Sequence, residues 1–233
     1  MPSERLLRIL RLLDGGDGSG AARLCEVAAE VTGMSGAGVM LLADGRPQAS
    51  VCTTGELSSL IEEAQYTLGE GPCVDAHRLG EVVSEPDLGA RGASRWVFFS
   101  VRAFGEGARA VFGYPIRIGA VRLGALNFYR DRPGPLDDDQ HANALVVADV
   151  AARTILAARA HAPRGSLGID IEEDLFFLWG VVHQAAGMVS VQLDISVADS
   201  LVRLRARAFL DDRLVSEIAR DVVERRLRFD VEE

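Results

Sequence analysis

The chain has 233 residues, 48% of them hydrophobic and 25% charged, with a formal charge of −9. That balance suits one medium domain plus a small one and excludes a largely disordered chain. Net acidity excludes a nucleic-acid coat along the whole length and leaves room for a local cationic face, made here only of arginine because the sequence holds no lysine.

The chain opens with an amphipathic helix in which Arg5 and Arg8 interrupt Leu6, Leu7, Ile9, Leu10, Leu12 and Leu13. These charges rule out a signal peptide, and no uninterrupted apolar run reaches the length of a bilayer span, so a cytoplasmic protein without a membrane segment is expected. A glycine-rich loop over Gly15–Gly20 precedes a second helix at Ala21–Val31. Strands follow at Ala37–Ala43 and Pro47–Thr53, joined by the hairpin signal Asp44-Gly45.

A short helix is expected near Leu57–Ala64, and Leu68–Asp75, with two glycines and a proline, reads as a loop. Glu81–Val83 is a candidate strand and Ser94–Phe104 a helix carrying Trp96, Phe98 and Phe99. Ala108–Ile118 and Val121–Tyr129 form a long hairpin around Gly119-Ala120. Asp137 caps a long helix over Asp137–Ala160, with Val146, Val150, Ile155 and Leu156 on its apolar face. Two strands, a loop-rich middle, a hairpin and flanking helices imply an α+β domain with an antiparallel sheet over residues 1–162.

A linker is expected at 163–171, and everything beyond it reads as helix, giving a second domain at 172–233. Its first helix, Glu172–Val191, is apolar nearly all round, which calls for packing beyond its own bundle. Ser196-Val-Ala-Asp199 starts a second helix, Val197–Leu210, with Val197, Leu201, Leu204 and Ala208 facing a core. Asp211-Asp212 caps a third, Arg213–Leu227.

Several of these stretches resemble known families. Leu68-Gly-Glu-Gly-Pro-Cys73, Arg95-Trp96, Ala110-Val-Phe-Gly-Tyr-Pro115, Leu123-Gly-Ala-Leu126 and Tyr129-Arg-Asp-Arg-Pro-Gly-Pro135 resemble the GAF domains of bacterial regulators. Val182-His-Gln-Ala-Ala-Gly-Met-Val189, followed by Ser196, Ala198, Leu201, Leu204-Arg205, Ala208, Leu214, Ile218-Ala219 and Val222-Val223, resembles the ANTAR domain. The two resemblances together imply a GAF-like sheet flanked by helices and a small three-helix output domain. They imply a homodimer that binds hairpins in nascent transcripts and prevents terminators from forming, under control of the GAF domain. Where that family often carries lysine, between Ala185 and Gly187, this chain has Ala186.

Residue types give candidates for both tasks. RNA hairpins are held through phosphate charge and unstacked loop bases, which calls for exposed guanidinium groups. Arg203 and Arg207, one turn apart and away from the core face, are the first candidates, although a solvated helix face explains them equally. Arg205 at the edge of the apolar arc, Arg213 near the turn between helices, and His183 and Gln184 on the first helix complete the set. Pairing with a carboxylate or plain surface placement are the ordinary readings of these four. In the sensor domain Cys73, Trp96, Phe98, Tyr114 and Asn127 are ligand-pocket candidates, with core packing the ordinary reading of each aromatic and of the cysteine.

Cys25, Cys52 and Cys73 lie far apart with no CxxC, so reduced thiols are expected, with neither a metal site nor a disulfide framework. No nucleophile, base and orienting group cluster in the sequence, so no catalytic residue and no cofactor is assigned. A cysteine-dependent enzyme of the GAF fold, or an interaction module that dimerises without RNA, are the competing expectations.

Overall fold

The computed structural model describes residues 2–15, 20–89, 95–161 and 173–230. The expected linker and the side chains of 175–179, on which the all-round apolar reading of the first C-terminal helix rests, lie outside the described residues. The chain divides into two compact units, Met1–Glu172 and Glu173–Glu233.

In the first unit the elements run α1 (Pro2–Asp14), α2 (Gly20–Thr32), β1 (Gly36–Ala43), β2 (Arg46–Thr53), α3 (Glu56–Leu68), α4 (Pro72–Leu79), β3 (Val83–Glu85), α5 (Val97–Gly105), β4 (Ala110–Ile118), β5 (Val121–Arg130) and α6 (Asp138–His161). The five strands form one antiparallel sheet in the order β2-β1-β5-β4-β3. Asp44 and Gly45 both take positive φ, 51° and 73°, which a two-residue hairpin turn of the primed type requires. Alternation sorts the strands onto two faces. Val39, Leu41, Phe112, Tyr114, Leu126 and Phe128 face α2 and α6, whereas Met40, Leu42, Val111, Ala125 and Tyr129 face α3, α4 and α5.

α6 begins as expected: the Gln140 N–H donates to Asp137 Oδ1 at 2.8 Å. Residues Asp138–Ala158 are long and apolar enough to cross a membrane by length and composition. Val147, Ala151 and Ile155 are nevertheless buried in the core with strands β4 and β5, so this helix has a packing partner inside the fold. Leu156, placed on its apolar face by the sequence pattern, is exposed.

Three corrections concern the loop-rich middle. The stretch read as a loop up to Asp75 is already helical from Pro72, because Pro72 stands at the first helical turn where its missing N–H costs nothing, and Gly80 closes α4 with φ 73°. The third strand is displaced to Val83–Glu85, where it pairs with β4. Cys25 and Cys52 are joined in a disulfide, against the expectation of free thiols. A register shift between Val39 and Met40 leaves Val51 as an extra residue on β2, so that Val51 and Cys52 both face α2.

The second unit holds α7 (Glu173–Leu193), α8 (Val197–Leu210) and α9 (Val215–Val223). Ser196 caps α8 by accepting from the Asp199 N–H at 3.1 Å. Leu204 and Ala208 are buried as expected, while Val197 is exposed and Ser200 takes the buried place instead. α9 is shorter than the predicted Arg213–Leu227: Asp211 closes α8, and the Leu214 N–H donates to Glu217 Oε2 at 2.9 Å to open α9.

Candidate functional site

The α3/α4/α5 face of the sheet carries polar groups in its core. Asn127 on β5 pairs in register with Gly38 on β1 and Gly113 on β4. Both glycines are dictated by close approach: a Cβ at Gly38 would lie 2.7 Å from Glu62 Oε1, and one at Gly113 would lie 2.3 Å from the Pro72 carbonyl oxygen. α3 and α4 therefore press onto the sheet on either side of Asn127.

Glu62, Gln65 and Asn127 are all at least 99% buried. Glu62 Oε2 accepts from the Ser50 hydroxyl at 3.1 Å, and Gln65 Oε1 accepts from the Cys73 N–H at 2.7 Å. Glu62 Oε1, Gln65 Nε2 and Asn127 Oδ1 have no hydrogen-bond partner among the described residues. Buried polar atoms are nearly always paired, so this row is chemically incomplete among the described residues. Burial pushes the Glu62 carboxyl up to about 8, with the Ser50 hydrogen bond opposing the shift in part. Burial likewise raises the Cys73 thiol, which holds it in the protonated form.

The Leu68–Asp75 stretch organises this face. Gly69 and Gly71 take φ of 66° and 132°. Between them Glu70 Oε1 accepts from the Phe98 and Phe99 N–H groups at 2.8 and 2.7 Å, capping the start of α5. Asp75 accepts from Arg78 at 2.7 Å, from Arg95 at 3.2 Å and from the Trp96 indole N–H at 3.0 Å. The motif is thus a clasp that fixes Arg95, Trp96 and α5 over the sheet.

The structure brings Cys73, Trp96 and Asn127 to this face and separates the other two pocket candidates from it. Tyr114 lies on the opposite face, stacked edge-on to Phe128, with its hydroxyl 2.8 Å from His141 Nδ1. Phe98 is 52% exposed, so it lines no buried site. Sequence reasoning missed Glu62 and Gln65. They stand in a helix that also holds Glu56, Ser58, Ser59, Glu63 and Thr67, so two polar residues three apart give no signal distinct from a solvated helix face.

In the second unit His183 and Gln184 are exposed on α7, while Ala185 and Ala186 are fully buried. Arg203 is exposed, Arg205 is half-buried, and Arg207 pairs with Asp211 at 2.8 Å. Arg213 pairs with Asp221 at 2.8 Å and lies 3.9 Å from Glu217. Arg220 and Arg225, not among the first candidates, are exposed and make no ion pair among the described residues. No group of three or more metal-binding side chains occurs among the described residues.

Sheet order and two helical layers define the class, a GAF-like α+β domain with a five-stranded antiparallel sheet. Residues 21–155 match the family model of the GAF domain, more than half of the chain, and the chain belongs to that family. GAF domains are typical of signal-sensing regulators. Among solved structures, the chain is similar to the GAF domain of a phosphoenolpyruvate-protein phosphotransferase from Acinetobacter, with 14% identity, 70% of this chain and 96% of that chain covered, and a TM-score of 0.53. A GAF domain from a phosphoenolpyruvate-protein phosphotransferase of Coxiella burnetii gives 17% identity, coverages of 68% and 95%, and a TM-score of 0.51. A free methionine-R-sulfoxide reductase from Neisseria meningitidis, solved with its substrate, gives 17%, coverages of 69% and 92%, and 0.50. At such identities the likeness is one of fold. No curated protein matches the chain.

Proposed function

We propose that this protein is a cytoplasmic, signal-responsive regulator of transcription antitermination, in which the GAF domain senses and the helical unit Glu173–Glu233 binds hairpin RNA as an ANTAR-type output domain of a homodimer. The observation that carries this reading is the placement of the motif residues in the helical unit. Val182, Ala185, Val189, Leu204, Ala208, Ile218, Ala219 and Val222 are buried, while Arg203, Arg220, Arg225 and Arg228 stand exposed. Ala186 departs from the ANTAR family's frequent lysine and is buried, so the cationic contact is missing at this position and the reading rests on the arginines of α8, α9 and the residues after α9.

The ion pairs of Arg207 and Arg213 fit this role. They are local, and surface pairs of this kind contribute only about 0–1 kcal/mol, so a phosphate oxygen can take the place of the carboxylate at little cost. The sensing event is placed at the Glu62, Gln65 and Asn127 row, whose unpartnered atoms suit a small molecule with both donors and acceptors. Such a ligand acts only by preferring one arrangement of the chain over another. The reading includes no catalysis: with Cys25 and Cys52 bonded to each other, the one remaining cysteine, Cys73, is buried and its thiol raised by that burial, which disfavours a thiolate nucleophile there.

The test is a fluorescence-anisotropy titration of the full chain with RNA carrying two short hairpins, against a scrambled RNA. Preferential binding that weakens steeply with salt, and weakens further in an Arg203→Ala/Arg207→Ala variant, is expected. Equal binding to both RNAs, or none at low salt, overturns the reading in favour of an interaction module.

A further inference from the structure

The disulfide between Cys25 on α2 and Cys52 on β2 has no part in the function proposed above. Both residues are fully buried, 27 positions apart in sequence, in the apolar core between the helical layer and the sheet. Among the described residues it is the one covalent tie between that layer and the sheet.

Its position gives it leverage. Cys52 belongs to β2, an edge strand with β1 as its one neighbour in the sheet, at the point where the register shift turns the strand toward α2. α2 in turn holds both other helices of the layer: Arg23 Nε donates to the Leu12 carbonyl of α1 at 3.1 Å, and Asn143 Nδ2 of α6 donates to the Val31 carbonyl at 2.6 Å. α6 is the last element of the first unit before the chain enters the second.

The surroundings suit both oxidation states. Val27, Ala28, Val39 and Val51 belong to the same apolar cluster, and a thiol packs there as a small apolar group, leaving no charge without a partner. Cys73 sits in the core of the opposite sheet face and is not available for a wrong pairing. We propose that Cys25 and Cys52 form a reversible redox site that locks α2 to the edge of the sheet when oxidised and releases α2, with its hydrogen-bonded neighbour α6, when reduced by a small thiol.

The chemistry is thiol–disulfide exchange. A thiolate of the reductant attacks one sulfur, the protein S–S bond breaks, and the other cysteine leaves as a thiolate that takes a proton from water. A second reductant thiolate attacks the mixed disulfide, releasing the remaining cysteine and the oxidised reductant. Two thiols are oxidised for each protein disulfide reduced, and an oxidised small disulfide such as oxidised glutathione runs the sequence backwards. Because both sulfurs are buried, attack follows a local opening of the edge strand or of α2, so the rate levels off at high reductant concentration.

The experiment uses the full chain and does not depend on RNA. Alkylation under denaturing conditions, read by mass spectrometry, is expected to label Cys73 alone after oxidised glutathione and all three cysteines after dithiothreitol, through repeated cycles. Hydrogen exchange of peptides from α2 and α6 is expected to quicken by about tenfold or more on reduction, while α3 and α4 keep their rates. A Cys73→Ser chain switches like the wild type, and a Cys25→Ser/Cys52→Ser chain exchanges like the reduced form and ignores reductant. If that double variant does not fold, the Cys73→Ser chain with and without dithiothreitol supplies the same comparison. Failure of the bond to reform, unchanged exchange in α6, or equal acceleration over both faces of the sheet overturns the proposal.

Discussion

Arginine is used differently in the two compact units. In the first, beside local pairs such as Arg23 with Glu26 and Arg153 with Asp149, several arginines reach across the fold. Arg5 of α1 pairs with Asp139 of α6, 134 positions away, and Arg122 of β5 donates to the His77 and Arg78 carbonyls of α4. Arg130, 7% exposed, holds the Pro135 carbonyl at 3.0 Å and Gln140 Oε1 at 2.6 Å. In the second unit these pairs lie close in sequence: Arg207 with Asp211, Arg213 with Glu217 and Asp221, Arg226 with Asp221 and Glu224. Some arginines of the first unit are thus tethers between elements, whereas these of the second are surface charges paired within a few residues. Arg130 adds burial to reach: a buried guanidinium that loses its acceptors leaves them unsatisfied, while an exposed one returns to water.

The largest expected effect marks a place where the first unit buries a carboxyl with no arginine partner among the described residues. Asp75 is held by Arg78 and Arg95, whereas Glu62 takes a hydrogen bond from Ser50 and no arginine among the described residues pairs with it. Its carboxyl keeps a proton up to about pH 8 in the folded chain, against the ordinary 4.5. The folded state therefore binds more protons between those values. The stabilising share of this group is full below pH 4.5, falls as pH rises, and is gone above about 8. Urea denaturation across this range is expected to show a fall on the order of 3–4 kcal/mol from this group, and Glu62→Gln removes it. A wild type and variant with the same pH profile would place an arginine or another cation at Glu62 after all.

Next in size is Arg130→Ala, expected to cost about 2–3 kcal/mol in the same assay, because hydrogen bonds to a charged donor are lost inside the fold. A loss below about 0.5 kcal/mol would erase the distinction between tether and surface charge. In the second unit, Ser196→Ala should cost about 1 kcal/mol through loss of the α8 cap, read as faster hydrogen exchange in α8. Smallest on stability is Arg207→Ala, at under about 1 kcal/mol, with a larger change expected in RNA affinity than in folding.

Much of this organisation is legible in the sequence, and the exceptions share a cause. The Asp44-Gly45 turn, the β4–β5 hairpin, the α6 cap at Asp137 and the α8 cap at Ser196 are set by neighbours in sequence, and all of them stand. α4 was hidden because Gly69, Gly71 and Pro72 mark a loop as readily as a helix start. Tyr114 and Asn127 fall on opposite faces through strand alternation combined with the pairing of Tyr114 with Leu126, and a single strand does not reveal its partner. Glu62, Gln65 and the Cys25–Cys52 bond depend on how α3 and α2 lie on the sheet and on one extra residue in β2, which are products of the whole fold.

The second unit's exchangeable arginines matter only if RNA takes their carboxylates' place in the cell. Crosslinking the protein to RNA in its own cell and sequencing the attached fragments tests this most directly. The account predicts enrichment of paired short hairpins lying just upstream of terminators, lost when Arg203 and Arg207 are both alanine. A fragment set no different from that of an unrelated acidic protein would contradict it.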